Sequence, residues 1–195
     1  SMNYGFVATA AVTPKIKVAD VTHNGAEIEK YMRKASECNT GITVFPELCL
    51  TGATCGDVFK QELLLTAAKE ELLRLVKVSE ELSGLMIVGL PWEVRNKLYN
   101  AAAVFESGQL LGIVPKTYLK DNGVFTAGKP GYEYVDVNGE MIPFGTSLLF
   151  TCENDKNLTV AVEIGEDLWA PNPKSTAHAL MGATIIAGLA ACDEG

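Results

Sequence analysis

Three apolar segments that each end in a charged or small residue place the strongest constraint on the fold of this chain. The segments are residues 42–47 (Ile-Thr-Val-Phe-Pro-Glu), 111–116 (Leu-Gly-Ile-Val-Pro-Lys) and 160–165 (Val-Ala-Val-Glu-Ile-Gly). Compact apolar runs of this length are typical of buried strands, and the prolines in two of them end the hydrogen-bonded ladder. Because ligands bind at the carboxyl ends of strands in α/β sheets, we expect Glu47, Lys116 and Gly165 to meet at one site.

Helix-like and strand-like patterns alternate along the chain. Asn24 is predicted to cap a helix over residues 26–38, and the stripe of leucines in residues 61–82 predicts a second helix. Two strands around residues 106–109 predict a hairpin. This order predicts an α/β layered domain with mixed sheets.

The remaining segments give weaker patterns. The strand that starts at Leu85 is predicted to end before Pro91, and residues 120–145, rich in Gly, Pro and Asn, are predicted to be an irregular surface excursion. Further predicted elements are strands over residues 147–150, 158–164 and 183–189, and a helix over residues 175–180.

Composition and charge exclude several classes of partner. Sixteen basic and twenty-four acidic residues give a net charge of −8, which repels the phosphates of nucleic acids. The apolar run over residues 177–192 is too short to span a bilayer. Five cysteines without a Cys-x-x-Cys pair predict free thiols in a reducing, cytoplasmic setting and no metal site. We expect no cofactor.

Glu47 and Lys116 have complementary chemistry. A carboxylate can take a proton from a nucleophile, and a nearby ammonium can stabilise an oxyanion on an attacked carbonyl. Two solvated residues at strand ends, joined by a weak surface ion pair, would give the same sequence pattern. The residues alone leave both interpretations open.

Three motifs resemble the signature segments of the nitrilase (carbon–nitrogen hydrolase) superfamily. They are residues 45–52 (Phe-Pro-Glu-Leu-Cys-Leu-Thr-Gly), 114–116 (Val-Pro-Lys) and 162–169 (Val-Glu-Ile-Gly-Glu-Asp-Leu-Trp). The resemblance is strongest to the amino-terminal glutaminase domains of glutamine-dependent NAD synthetases. Shorter matches agree with it, namely residues 57–59, 88–91, 98–101, 143–145 and 181–183.

The resemblance implies a four-layer α-β-β-α sandwich that hydrolyses the side-chain amide of glutamine. Glu47 matches the general base, and Lys116 matches the cation that steadies the tetrahedral intermediate. The family's nucleophilic cysteine corresponds to Gly165, which cannot form a thioester. The resemblance also implies ammonia transfer to a synthetase domain and association into homo-oligomers.

Other positions of the expected substrate site also depart from the family. Asn122 stands where the family has a substrate-contacting tyrosine, Ala127 replaces an auxiliary glutamate, and Cys192 replaces a serine that contacts glutamine. Glu166 and Trp169 are assigned to the substrate site, although a core position explains Trp169 equally well. Cys192 is disfavoured as a substitute nucleophile, because it would have to reach the site from a different strand.

We therefore expect residues 3–195 to form a single nitrilase-like domain, incomplete at its C-terminal side, with Ser1 and Met2 left from expression. The expected function is that of a catalytically impaired glutaminase. The alternative is a non-catalytic binding or assembly domain. A nucleotide-binding doubly wound domain is disfavoured, because no Gly-x-Gly-x-x-Gly follows the first strand.

Overall fold

The computed structural model describes residues 9–52, 58–119, 124–153, 155–165, 182 and 185–190. Two helices, α1 (Val21–Glu37) and α2 (Val58–Val78), precede most of the strands, and a 3-10 turn (Ser79–Glu81) follows α2. The strands are β1 (Thr9–Ala11), β2 (Ile42–Val44), β3 (Leu85–Val94), β4 (Lys97–Glu106), β5 (Gln109–Pro115), β6 (Tyr132–Val137), β7 (Glu140–Gly145), β8 (Phe150–Cys152), β9 (Asp155–Ile164) and β10 (Ile185–Leu189).

The strands form two mixed sheets, as the sequence predicts. The first sheet has the order β1-β2-β3-β4-β5-β7-β6, with parallel pairing from β1 to β3 and antiparallel pairing through β4 and β5. The second has the order β10-β9-β8, with β10 parallel and β8 antiparallel to β9. In the first sheet, β2 and β5 therefore end at the same edge.

The first sheet has a different apolar core on each of its faces. On one face, Met86, Val88 and Leu90 pack with Ile28 and Leu72 of the two helices, which we call the helix-side core. On the other face, alternate residues of the same strands pack with β9 and β10, in what we call the inter-sheet core. The described part of the chain thus has a helix layer and two sheet layers. The helix expected over residues 175–180, which would begin a fourth layer, lies outside the described residues.

The predicted cap of α1 is wrong. Asp20 is the N-cap, and its carboxylate accepts a hydrogen bond from the backbone N–H of His23 at 3.0 Å. Asn24 lies fully buried in the helix, where its side chain bonds both backbone groups of Lys17 and donates to the carbonyl oxygen of Leu50. Both residue types favour caps, and the position of the tertiary partners decides between them.

The prediction that β3 ends before Pro91 is also wrong, since the strand continues to Val94. Strand β2 pairs with β3 only as far as Ile87. Pro91 lies beyond that segment and pairs with Asn100 of β4 alone, so its missing N–H breaks no ladder with β2.

Residues 120–145 are not irregular throughout, which corrects a third prediction. Strands β6 and β7 form a hairpin whose turn is Asn138–Gly139, both with positive φ (51° and 90°). Ser107 and Gly108 make the same kind of two-residue turn between β4 and β5. Asn-Gly favours such turns because both positions need left-handed backbone, so the signal was present in the sequence.

None of the helices in the described ranges is both long and apolar enough to cross a membrane.

A buried carboxyl group joins the two sheets at the far end of β4. The carboxylate of Glu106 accepts the backbone N–H of Glu153, which follows β8, at 3.2 and 3.3 Å. Burial raises the pKa of Glu106 above its usual value, and the neighbouring carboxylate of Glu153 raises it further, against the opposite effect of the donated N–H. The folded state therefore binds a proton here more tightly than the unfolded state does.

We expect Glu106→Gln to change the pH dependence of stability. Because the pKa is raised on folding, the contribution of Glu106 is present at low pH and is lost as pH rises above about 4 towards the folded pKa. We expect urea denaturation at a series of pH values to show that the free energy of unfolding of Glu106→Gln does not fall over this pH range as that of wild type does. At neutral pH the variant should therefore be more stable than wild type. The control is Glu140→Gln, at an exposed carboxylate on β7. Parallel pH profiles for wild type and Glu106→Gln would contradict the assignment.

Candidate active site

Glu47 and Lys116 form a buried ion pair at the edge where β2 and β5 end. The Lys116 ammonium lies 3.2 Å from Glu47 Oε2, and the two side chains are only 6% and 11% exposed. Such a pair is strongly constrained, because removal of either partner leaves an unpaired charge away from water. The alternative of two solvated strand ends is therefore wrong.

Gly165 lies at the point on which this ion pair converges. It directly follows β9, and its φ is +53°. A Cβ built on Gly165 would lie 2.6 Å from Glu47 Oε2 and 2.9 Å from Lys116 Nζ. The three residues come together as the sequence predicts, but they come from two facing sheets and not from one sheet edge.

The loop that carries Glu47 packs unusually close to β3. A Cβ on Gly89 would lie 2.4 Å from the carbonyl oxygen of Pro46 and 2.8 Å from the Cα of Glu47, which are both backbone atoms. Only glycine allows this approach. The loop turns back at Leu48, whose φ is +53°, and the N–H of Leu50 donates to the carbonyl oxygen of Gly89 at 3.1 Å.

Two further contacts hold the backbone around the ion pair. The N–H of Glu47 donates at 3.0 Å to the carbonyl oxygen of Ala190, just after β10, and so links the two sheets. The N–H of Lys116 donates to Asn100 O at 2.7 Å, and the carbonyl oxygen of Lys116 accepts the N–H of Gly128 at 2.9 Å. The backbone is thus held in place at both Glu47 and Lys116, and each side chain extends from a fixed position.

Of the other expected site residues, only Ala127 is among the described residues. Asn122, Glu166, Trp169 and Cys192 lie outside the described residues. Ala127, in place of an auxiliary glutamate, is exposed in the segment after Lys116. No cluster of three or more potential metal-binding side chains occurs among the described residues.

Gly89 and Ala190 support the site but were not predicted to do so from the sequence. A glycine inside a continuous apolar strand often marks a close backbone approach, so Gly89 carried a usable signal. The link through Ala190 uses only a backbone carbonyl, which no residue pattern reveals.

We expect Gly89→Ala to destabilise the protein by about 1–3 kcal/mol, the usual range for overpacking, because its Cβ would meet backbone atoms. Gly112→Ala is the matched control, since its Cβ would meet the ends of the Phe150 and Leu148 side chains, which can shift. Urea denaturation should give the larger loss for Gly89→Ala. Equal losses would show that the Glu47 loop is not held by this contact.

Comparison with known proteins places this chain in a family. The sequence profile of the Carbon-nitrogen hydrolase family matches residues 8–194. The chain is 34% identical over 195 residues to the glutamine-dependent NAD(+) synthetase of Mycobacterium leprae strain TN, an alignment that covers 97% of this chain. It spans only 29% of the length of that relative.

Solved structures show the same fold. The glutamine-dependent NAD(+) synthetase from Cytophaga hutchinsonii aligns over 94% of this chain and 30% of its own, with a TM-score of 0.80 and 24% identity. An amidase from Nesterenkonia sp. AN1, in a cysteine-to-alanine variant in complex with butyramide, aligns over 94% of this chain and 65% of its own, with a TM-score of 0.70 and 18% identity. The chain has the nitrilase-like fold and belongs to the carbon–nitrogen hydrolase family.

Proposed function

We propose that this chain is a glutaminase-type domain that binds a primary amide but is impaired in hydrolysing it. The observation that carries the proposal is the position of Gly165 at the meeting point of Glu47 and Lys116. A carboxylate and an ammonium that converge on one backbone position are suited to activate a nucleophile there and to stabilise an oxyanion.

The impaired step is the formation of a covalent intermediate. With a thiol at position 165, Glu47 would take the thiol proton while the sulfur attacks the amide carbon. Lys116 would stabilise the oxyanion, and ammonia would leave with a proton returned by Glu47. Water would then hydrolyse the thioester. Glycine has no atom to form that bond, so this route is closed, while Glu47 and Lys116 remain in place to hold the amide.

The named relatives support an amide, and in particular glutamine, as the ligand. The Mycobacterium leprae and Cytophaga hutchinsonii proteins are glutamine-dependent NAD(+) synthetases, and the Nesterenkonia amidase variant holds butyramide although a cysteine has been replaced by alanine. By analogy, ammonia released at such a site would supply a synthetase domain. Because this chain spans under a third of the NAD(+) synthetases, that partner is part of the proposal.

The test is ammonia release from L-glutamine. We expect wild type to remain at the uncatalysed background and Gly165→Cys to rise above it. The atoms nearest to the new Cβ are side-chain ends of Glu47 and Lys116, not backbone, and a non-glycine residue at positive φ costs about 1 kcal/mol. Adding Lys116→Met should lower the gained rate by about 10²-fold or more, with folding checked by circular dichroism.

Gly139→Cys is the matched control for this experiment. Gly139 also has a positive φ, in the exposed β6–β7 turn, where a Cβ would meet nothing within 4 Å. Ammonia release by this variant, or by the wild-type protein, would show that the activity does not depend on a thiol at position 165 and would overturn the proposal.

The second candidate is a non-catalytic binding or assembly domain. The altered positions Asn122, Ala127 and Cys192 favour it, because several substrate contacts of the family are changed together. Under this alternative, Gly165→Cys releases no ammonia above the uncatalysed background, even though the folded protein still binds an amide. Clear turnover by Gly165→Cys would exclude it.

A further inference from the structure

Asn100 is a buried polar residue on β4. It is only 4% exposed, and its side-chain carbonyl oxygen has no hydrogen-bond partner among the described residues. A buried acceptor without a donor opposes folding, so such groups in native proteins call for an explanation.

The strand register places Asn100 beside the candidate active site. The backbone N–H of Lys116 donates to Asn100 O at 2.7 Å, so the two residues are cross-strand neighbours. Tyr99 and Ala101, on either side of Asn100, belong to the helix-side core. Because side chains alternate along a strand, Asn100 points to the opposite face, which is shared by Ala102 of the inter-sheet core.

Lys116 lies on that same inter-sheet face. Val114, two residues earlier, belongs to the inter-sheet core, and the Lys116 ammonium reaches the position next to Gly165. Strand β9, which leads to Gly165, packs against both β4 and β5. Directly opposed side chains on one face of a sheet lie about 5 Å apart at their Cβ atoms, so Asn100 is within reach of a ligand held by Lys116.

We propose that Asn100 selects a carboxamide by accepting a hydrogen bond from its N–H₂ group. This inference rests on the proposed function, in which the amide oxygen lies towards the Lys116 ammonium. The amide nitrogen has two hydrogens to donate, and one of the Glu47 oxygens is already engaged with Lys116. The buried oxygen of Asn100 is a neutral acceptor for that nitrogen. A carboxylate ligand has no N–H to offer it and would leave the oxygen unsatisfied.

The experiment compares Asn100→Leu with Thr43→Val. Both variants remove a buried side-chain oxygen that has no partner in the described structure, with similar side-chain volume. Thr43 is fully buried, but it alternates with Ile42 and Val44 of the inter-sheet core and so faces the helices. Each protein is titrated with propionamide and with propionate by NMR, and its unfolding is measured in urea.

We expect wild type and Thr43→Val to bind propionamide in preference to propionate. Asn100→Leu should lose affinity for propionamide by about tenfold, the ratio that corresponds to one net hydrogen bond. The urea midpoints of both variants should equal or exceed that of wild type, because each loses an unsatisfied oxygen.

Several results would overturn the inference. Unchanged propionamide affinity in Asn100→Leu overturns it while the proposed amide binding stands. If the urea midpoint falls in Asn100→Leu and not in Thr43→Val, Asn100 is a structural residue and the inference fails. Failure of wild type to bind any amide rejects the proposed function and this inference together, and the Gly165→Cys assay then separates lost binding from lost chemistry.

Discussion

The buried ion pair between Glu47 and Lys116 is the interaction on which the organisation of this domain depends. Two charges withdrawn from water are tolerated only when each satisfies the other in good geometry. The pair joins the ends of β2 and β5, which belong to the first sheet, and it faces Gly165, which follows β9 of the second. The surrounding backbone contacts serve to keep the two side chains in place.

Those contacts are independent of what occupies position 165. The close approach at Gly89, the left-handed turn at Leu48 and the hydrogen bond from Glu47 to Ala190 involve backbone atoms in every case. A site held by its backbone keeps its shape when a single reactive side chain is absent. This explains how the chain can have the family's fold and two converging charges while glycine occupies position 165.

Much of the fold was predictable because its strands and helices have strong local patterns. The runs ending at Glu47, Lys116 and Gly165 are strands, and their convergence followed from strand direction. That they come from two facing sheets did not follow, because sheet membership depends on long-range pairing. The burial of the ion pair was also not predictable from the sequence, since the end of a strand can be exposed to solvent or buried.

The errors have specific physical causes. Asn24 was predicted as the cap of α1, but its contacts with Lys17 and Leu50 hold it inside the helix, and Asp20 is the cap. Pro91 was taken as the end of a strand, although β2 stops pairing before it. The Asn138–Gly139 turn carried a clear hairpin signal, which the surrounding Gly and Pro residues masked.

The left-handed backbone at Gly165 has a consequence for how such a domain changes over generations. At this position the nearest atoms that a new Cβ would meet are the side-chain tips of Glu47 and Lys116. Substitutions at this position are therefore limited by those two side chains and by the positive φ of +53°, which strains any residue other than glycine. A domain of this kind can drift between forms with and without a reactive group while its architecture stays the same.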